Sequence, residues 1–138
     1  KSILGIKFYA KMFRIGLTDN GSEFFDPYQI EKDYDTSKKI TNLFYCNPNR
    51  PDQKGGIEKN HKYIRMLYPK GTSFNNLTKE DVILLENTIN NIPRDSLDGL
   101  SPYLLTKDKY PLFIDKLSYI TYIAPDDIDL TPRSKGDE

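Results

Sequence analysis

Tryptophan is absent from this sequence, and cysteine and histidine occur once each, as Cys46 and His61. One cysteine excludes an intrachain disulfide, which suits a reducing compartment. One cysteine with one histidine makes no zinc set and leaves Cys46 without an evident partner base, so thiol catalysis and zinc binding are both set aside. No apolar run is long enough to span a bilayer, and no signal peptide is present. Net charge is also lacking: 20 basic and 20 acidic residues cancel over 138 positions, so total charge alone does not advertise nucleic-acid binding.

The distribution of charge says more than its sum. Residues 51–70 hold Lys54, Lys59, Lys62, Arg65 and Lys70 against Asp52 and Glu58, a net +3, whereas residues 108–138 carry seven acids and four bases, a net −3. A basic segment is therefore hidden inside a neutral chain. At this length one domain with a sizeable core is expected, over residues 1–125. Residues 126–138 are acidic and proline-punctuated and read as a poorly ordered tail.

Two stretches concentrate the chemistry. In the first, residues 13–17 alternate as a strand does and run into Asp19-Asn20-Gly21, where Asn and Gly tolerate the backbone of a sharp stop. A carboxylate just past the carboxyl end of a strand is where α/β sheets place ligand-binding groups, although an Asp-Asn-Gly by itself is more often an ordinary turn. In the second, Gly55-Gly56 reads as a hinge running into a helix. At about 100° per residue, Ile57, His61, Ile64 and Tyr68 form an apolar stripe, with His61 packed in it, while Glu58, Lys62 and Arg65 form a charged stripe beside it. Taken alone, that charged stripe is a solvated helix face.

The remaining elements are read from local signals. Residues 2–12 give a helix, Asp26-Pro27 starts a short helix through Ile30, residues 31–39 form a hairpin or extended loop, and residues 40–45 a strand. Thr78 with Asp81 approximates a capping box ahead of a helix with Val82, Leu85, Ile89 and Ile92 on its buried face. Ser101-Pro102 opens another helix, and residues 119–123 read as a terminal strand.

In order, Leu17-Thr18-Asp19-Asn20-Gly21-Ser22-Glu23-Phe24, Phe44-Tyr45-Cys46-Asn47-Pro48, the segment from Gln53 to Arg65, and Pro69-Lys70-Gly71-Thr72-Ser73-Phe74 resemble the DDE transposases with a retroviral-integrase-type core. Asn91-Ile92-Pro93-Arg94, Leu97-Asp98-Gly99 and Ser101-Pro102-Tyr103 continue the resemblance, which is closest to the insertion-sequence group called the IS-thirty family. It implies an α/β, RNase H-like fold with a mainly helical C-terminal half. It also implies that Asp19 and Glu58, 39 positions apart, are the second and third acids of the catalytic triad and ligands of Mg²⁺ or Mn²⁺ in a two-metal site. Lys59, Lys62, Arg65 and Lys70 would hold DNA phosphates, and Gly55 and Gly56 would hinge a mobile loop.

The implied partners are transposon ends and target DNA, the implied assembly a homo-oligomer on DNA, and the implied setting the bacterial cytoplasm, at the nucleoid when bound. The first triad Asp belongs on an earlier strand, which this sequence does not supply before Asp19. The expectation is thus a core with its N-terminal strands missing, catalytically incomplete alone. A degenerate DNA-binding remnant and an RNase H-type nuclease stand as alternatives. Pro-Lys-Gly-Thr and Asn-Ile-Pro-Arg favour transposase ancestry over the nuclease.

Overall fold

A short parallel pair of strands anchors the N-terminal part of the chain. The computed structural model describes residues 1, 3–50, 52 and 55–133, with side chains left aside for Phe24 and residues 55–57. Gln53, Lys54 and residues 134–138 therefore lie outside the described residues. Where one core over residues 1–125 was expected, the chain divides into two compact units, Lys1–Gly56 and Ile57–Glu138.

In the first unit, helix α1 (Ile6–Met12) leads to strand β1 (Ile15–Thr18), a single 3₁₀ turn at Ser22–Phe24, helix α2 (Tyr28–Glu31) and strand β2 (Asn42–Tyr45). The Asp-Pro signal marks the start of α2 one residue early: Pro27 is the N-cap, without a side-chain cap bond, and Asp26 accepts from the Tyr28 N–H at 3.1 Å in a turn just ahead of it. The strands pair in parallel, Ile15 opposite Asn42 through Thr18 opposite Tyr45, and their connection crosses over through α2. The hairpin expected over residues 31–39 is present locally, as an antiparallel bridge between Lys32 and Lys39.

Glu31 ties the crossover to the sheet. Its backbone carbonyl accepts from Ile40 and Thr41, and its side chain accepts from the Leu43 N–H at 2.8 Å, with Lys39 at 3.5 Å. The Leu43 N–H, and then the Lys39 charge, hold the Glu31 carboxyl below its usual value. A Cβ on Gly16 would meet Leu43 Cδ1 at 2.9 Å, so a larger residue there would require the Leu43 side chain to shift. The strands leave much apolar surface in solvent: Ile15 is 69% exposed and Phe44 54%.

The second unit is helical among its described residues. Helix α3 (Gly55–Leu67), whose first turn begins in the first unit, is followed by α4 (Lys79–Asn90), α5 (Pro102–Lys109) and α6 (Pro111–Lys116). Both predicted caps form. Thr78 and Asp81 make the reciprocal capping box, and Ser101 accepts from the Leu104 N–H at 3.1 Å with Pro102 in the first turn. Leu67, Tyr68 and Ile89 make the buried centre, joined by Tyr63, Ile64, Leu77, Leu85 and Leu130. Each such side chain is worth about 1.5–3 kcal/mol on burial.

Residues 119–123 are not a strand. They run extended along α4, hydrogen-bonded to two buried asparagines instead of a neighbouring strand. Asn87 donates to the Tyr119 carbonyl at 2.9 Å and accepts from the Thr121 N–H at 3.0 Å. Asn91 donates to the Thr121 carbonyl at 2.9 Å and accepts from the Ile123 N–H at 3.0 Å. The match is geometric: four helical residues rise about 6 Å, and two extended residues rise about 6.6 Å. Two side-chain amides one turn apart thus stand in for the peptide groups of a partner strand. Of the residues expected on the buried face of α4, Ile89 and Ile92 are buried and Leu85 packs on the core, while Val82 is 42% exposed; the asparagine contacts widen that face to include buried Asn87, Thr88 and Asn91.

The tail expected from Asp126 is structured as far as Arg133. A 3₁₀ turn spans Pro125–Asp127, Leu130 packs on the core, and the Arg133 N–H donates to the Leu67 carbonyl at 2.6 Å. At the other end of α4, Asp98 and Gly99 have φ of 54° and 80°, the left-handed pair that folds the chain back so that the Arg94 N–H reaches the Leu100 carbonyl.

Candidate functional site

Asp19 follows β1 directly and is exposed. Its Oδ1 accepts the Gly21 N–H at 3.2 Å, and the Asn20 side chain donates to the Cys46 carbonyl at 3.2 Å, just past the end of β2. The Asp-Asn-Gly turn therefore links the carboxyl ends of both parallel strands. A Cβ on Gly21 would meet the flexible end of the Glu23 side chain at 2.6–2.8 Å, and Gly21 has an ordinary φ of −61°, so the turn does not use the left-handed backbone its sequence suggested. Glu23 thus folds back over the turn and brings a second carboxylate to the same loop. Beneath it, Thr18 Oγ1 is buried with no hydrogen-bond partner, and Cys46 is a buried free thiol, in keeping with a packing role.

In the second unit Glu58 lies in the first turn of α3, where the helix dipole favours a carboxylate. Glu58, Lys59, Lys62 and Arg65 are all exposed, and Lys70 is exposed in the turn beyond α3. Two expectations are corrected here. Gly55 and Gly56 form the first turn of α3 rather than a hinge ahead of it. His61 is exposed, whereas Ile64 and Tyr68 of the predicted stripe do pack inward, joined by Asn60, Tyr63 and Leu67.

Arg94 contacts the Asn60 and Tyr63 side of α3. Its guanidinium donates to Asn60 Oδ1 and to the Ile89 carbonyl, both at 3.2 Å, and stacks 4.8 Å from the Tyr63 ring, holding α3 to the end of α4. The Asn-Ile-Pro-Arg signal could have pointed to such an anchor; the identity of its partners needed the fold. In the loop before α3, Arg50 and Asp52 make a two-point ion pair at 2.9 and 2.8 Å, which neutralises the acid that stood against the basic segment.

Asp19 and Glu58 belong to separate units, so each unit by itself brings one of the two expected acids. Their chemistry fits a hard divalent cation, which prefers carboxylate oxygen. Among the described residues no three Asp, Glu, His or Cys side chains cluster in a way that could hold a metal ion. None of the described helices is long and apolar enough to cross a membrane.

Comparison with known proteins gives the class. The chain is 34% identical over 84 residues to the transposase for insertion sequence element IS4351 of Bacteroides fragilis, a match covering 61% of this chain and 24% of that protein. It is 30% identical over 60 residues to the transposase for insertion sequence element IS1086 of Cupriavidus metallidurans, covering 44% and 18%. It is 32% identical, also over 60 residues, to the transposase InsI for insertion sequence element IS30A of Escherichia coli, covering 44% and 16%. No protein-family model matches, and no solved structure does so significantly. The chain is a relative of insertion-sequence transposases, those of the IS30 type among them, and its matches span a quarter or less of the length of these relatives.

Proposed function

We propose that this chain is part of the catalytic core of a DDE-type transposase with RNase H-like architecture, acting in DNA strand cleavage and transfer at transposon ends. The observation that carries the reading is the position of Asp19, immediately past the carboxyl end of β1 in a parallel pair, in a chain whose relatives are transposases. That is the edge of an α/β sheet where ligand-binding groups gather. The exposed Ile15, Leu17, Phe44 and Tyr45 support a sheet that gains further strands in the complete core.

Asp19 and Glu58 are the second and third acids and would hold Mg²⁺ or Mn²⁺. When bound, a pair of such ions activates an oxygen nucleophile and relieves negative charge at phosphorus. Lys59, Lys62, Arg65 and Lys70 hold backbone phosphates, positioning DNA without reading its sequence. The assembly on DNA is a homo-oligomer. Two acids of a three-acid set do not catalyse transfer, so these 138 residues alone are inactive.

The test uses the purified chain. It should bind duplex DNA in 50 mM salt and lose roughly tenfold or more of its affinity by 200 mM, as release of two or more counterions requires. It should not nick supercoiled plasmid in Mg²⁺ or Mn²⁺. Absence of DNA binding at low salt sinks the phosphate-binding assignment. Mn²⁺-dependent nicking that Asp19→Asn abolishes sinks the claim of inactivity.

A further inference from the structure

On the exposed side of α3 lies an open groove of about 220 Å³, lined by His61, Ile64 and Arg65 and by Phe74 from the segment after the helix. It is smaller than the roughly 300–1,000 Å³ of sites for drug-sized ligands and several times the roughly 30 Å³ share of one water, so its size suits a single planar ring system. Its lining narrows the ligand further. The Phe74 ring sits 5.9 Å from buried Tyr68, which fixes it, yet it is 48% exposed and leaves part of its surface open. Ile64 is half-buried, while Arg65 and His61 are exposed and carry nitrogen groups and flat faces.

A plain apolar occupant would strip water from the Arg65 guanidinium and return nothing. A flat apolar ring attached to an anion satisfies both parts of the groove, and Lys62, next to His61 and one turn from Arg65, extends the positive charge. Such a ligand is a nucleotide. Base stacking on an aromatic side chain is tolerant of sequence, because every base has a π-face.

We propose that this groove takes one unpaired base of DNA, stacked on Phe74, with its phosphate on Arg65. The proposal rests on the reading of α3 as a DNA-facing helix. Along the axis His61 lies about 4.5 Å and Arg65 about 10 Å from Glu58, so the base belongs to a nucleotide close to the phosphate that Glu58 would address.

Two single strands of about 12 units separate this inference from the general one: an oligothymidylate, and a polymer of abasic tetrahydrofuran phosphates with the same charge. The full chain should bind the base-bearing strand at least roughly fivefold more tightly. Phe74→Leu, which keeps an apolar contact for Tyr68, should erase that difference without changing affinity for the abasic strand, and Phe74→Tyr should keep it. Equal binding of both strands by the unaltered chain overturns the groove while leaving phosphate binding intact, and so does a preference that survives Phe74→Leu. Binding of neither strand overturns both readings. The comparison on the unaltered chain stands even if a variant fails to fold.

Discussion

The two units solve the same problem, the burial of backbone polar groups, with different means. The first uses a two-stranded ladder and one acidic side chain, Glu31, and leaves Ile15, Leu17 and Phe44 in solvent. The second closes an apolar centre around Leu67 and pairs an extended segment with two asparagines. Its cohesion comes from within, whereas the first unit has little buried apolar surface to draw on; among the described residues its buried apolar side chains are Leu4 and Cys46. Local stability should follow that difference.

The strongest way to break the contrast is to hollow the second unit. Leu67 has no exposed surface, and Leu67→Ala should cost about 3–5 kcal/mol, read as a large fall in the urea midpoint of the helical signal. If it costs less than about 1 kcal/mol, the second unit has no real core.

Asn91→Ala comes next. It leaves the Thr121 carbonyl and the Ile123 N–H without partners and should cost about 2–4 kcal/mol. The double variant with Asn87→Ala should cost less than the sum, since both grip the same segment. Additive losses would mean that the two amides act independently.

The smallest effect lies in the first unit and is set by pH. The Leu43 N–H lowers the Glu31 carboxyl below its unfolded value, so Glu31 stabilises the unit fully above that unfolded value. The contribution is lost as pH falls through the lower folded value. The protection factor of the Leu43 amide, its exchange rate relative to the intrinsic one at each pH, should therefore fall in acid, and Glu31→Gln should weaken the unit by about 1 kcal/mol at neutral pH and flatten the acid dependence. An unchanged acid profile in Glu31→Gln would assign the effect elsewhere, with Asp33, also lowered by its Thr36 and Asp35 partners, first in line.

The sequence was most readable where structure is decided within a few residues. Thr78 with Asp81 and Ser101 with Pro102 start helices, and Asp26 with Pro27 marks the turn just ahead of one, because a side-chain oxygen meets an amide two or three positions on. The exposed cations of α3 were equally readable, since charge opposes burial. Asn87 and Asn91 were not, because nothing in a helical pattern says that polar side chains will be buried against a segment some 30 residues later. His61 was misplaced for a related reason: Arg94, 34 residues from Asn60, contacts the Asn60 and Tyr63 side of the helix. As for the candidate site, each acid could be placed on its element by local rules, whereas the RNase H-like sheet stays a proposal, with two strands to represent it.

The bond from the Arg133 N–H to the Leu67 carbonyl has a consequence in time. Leu67 supplies one of the carbonyls that the end of α3 cannot satisfy internally, and the donor is made 66 residues later. At roughly 5–20 residues per second, translation leaves that carbonyl waiting for about 3–13 s. The last turn of the helix that carries Glu58 thus closes only after Arg133 is made, and a nascent chain halted near Leu130 would carry the acid on a helix whose last turn is still open.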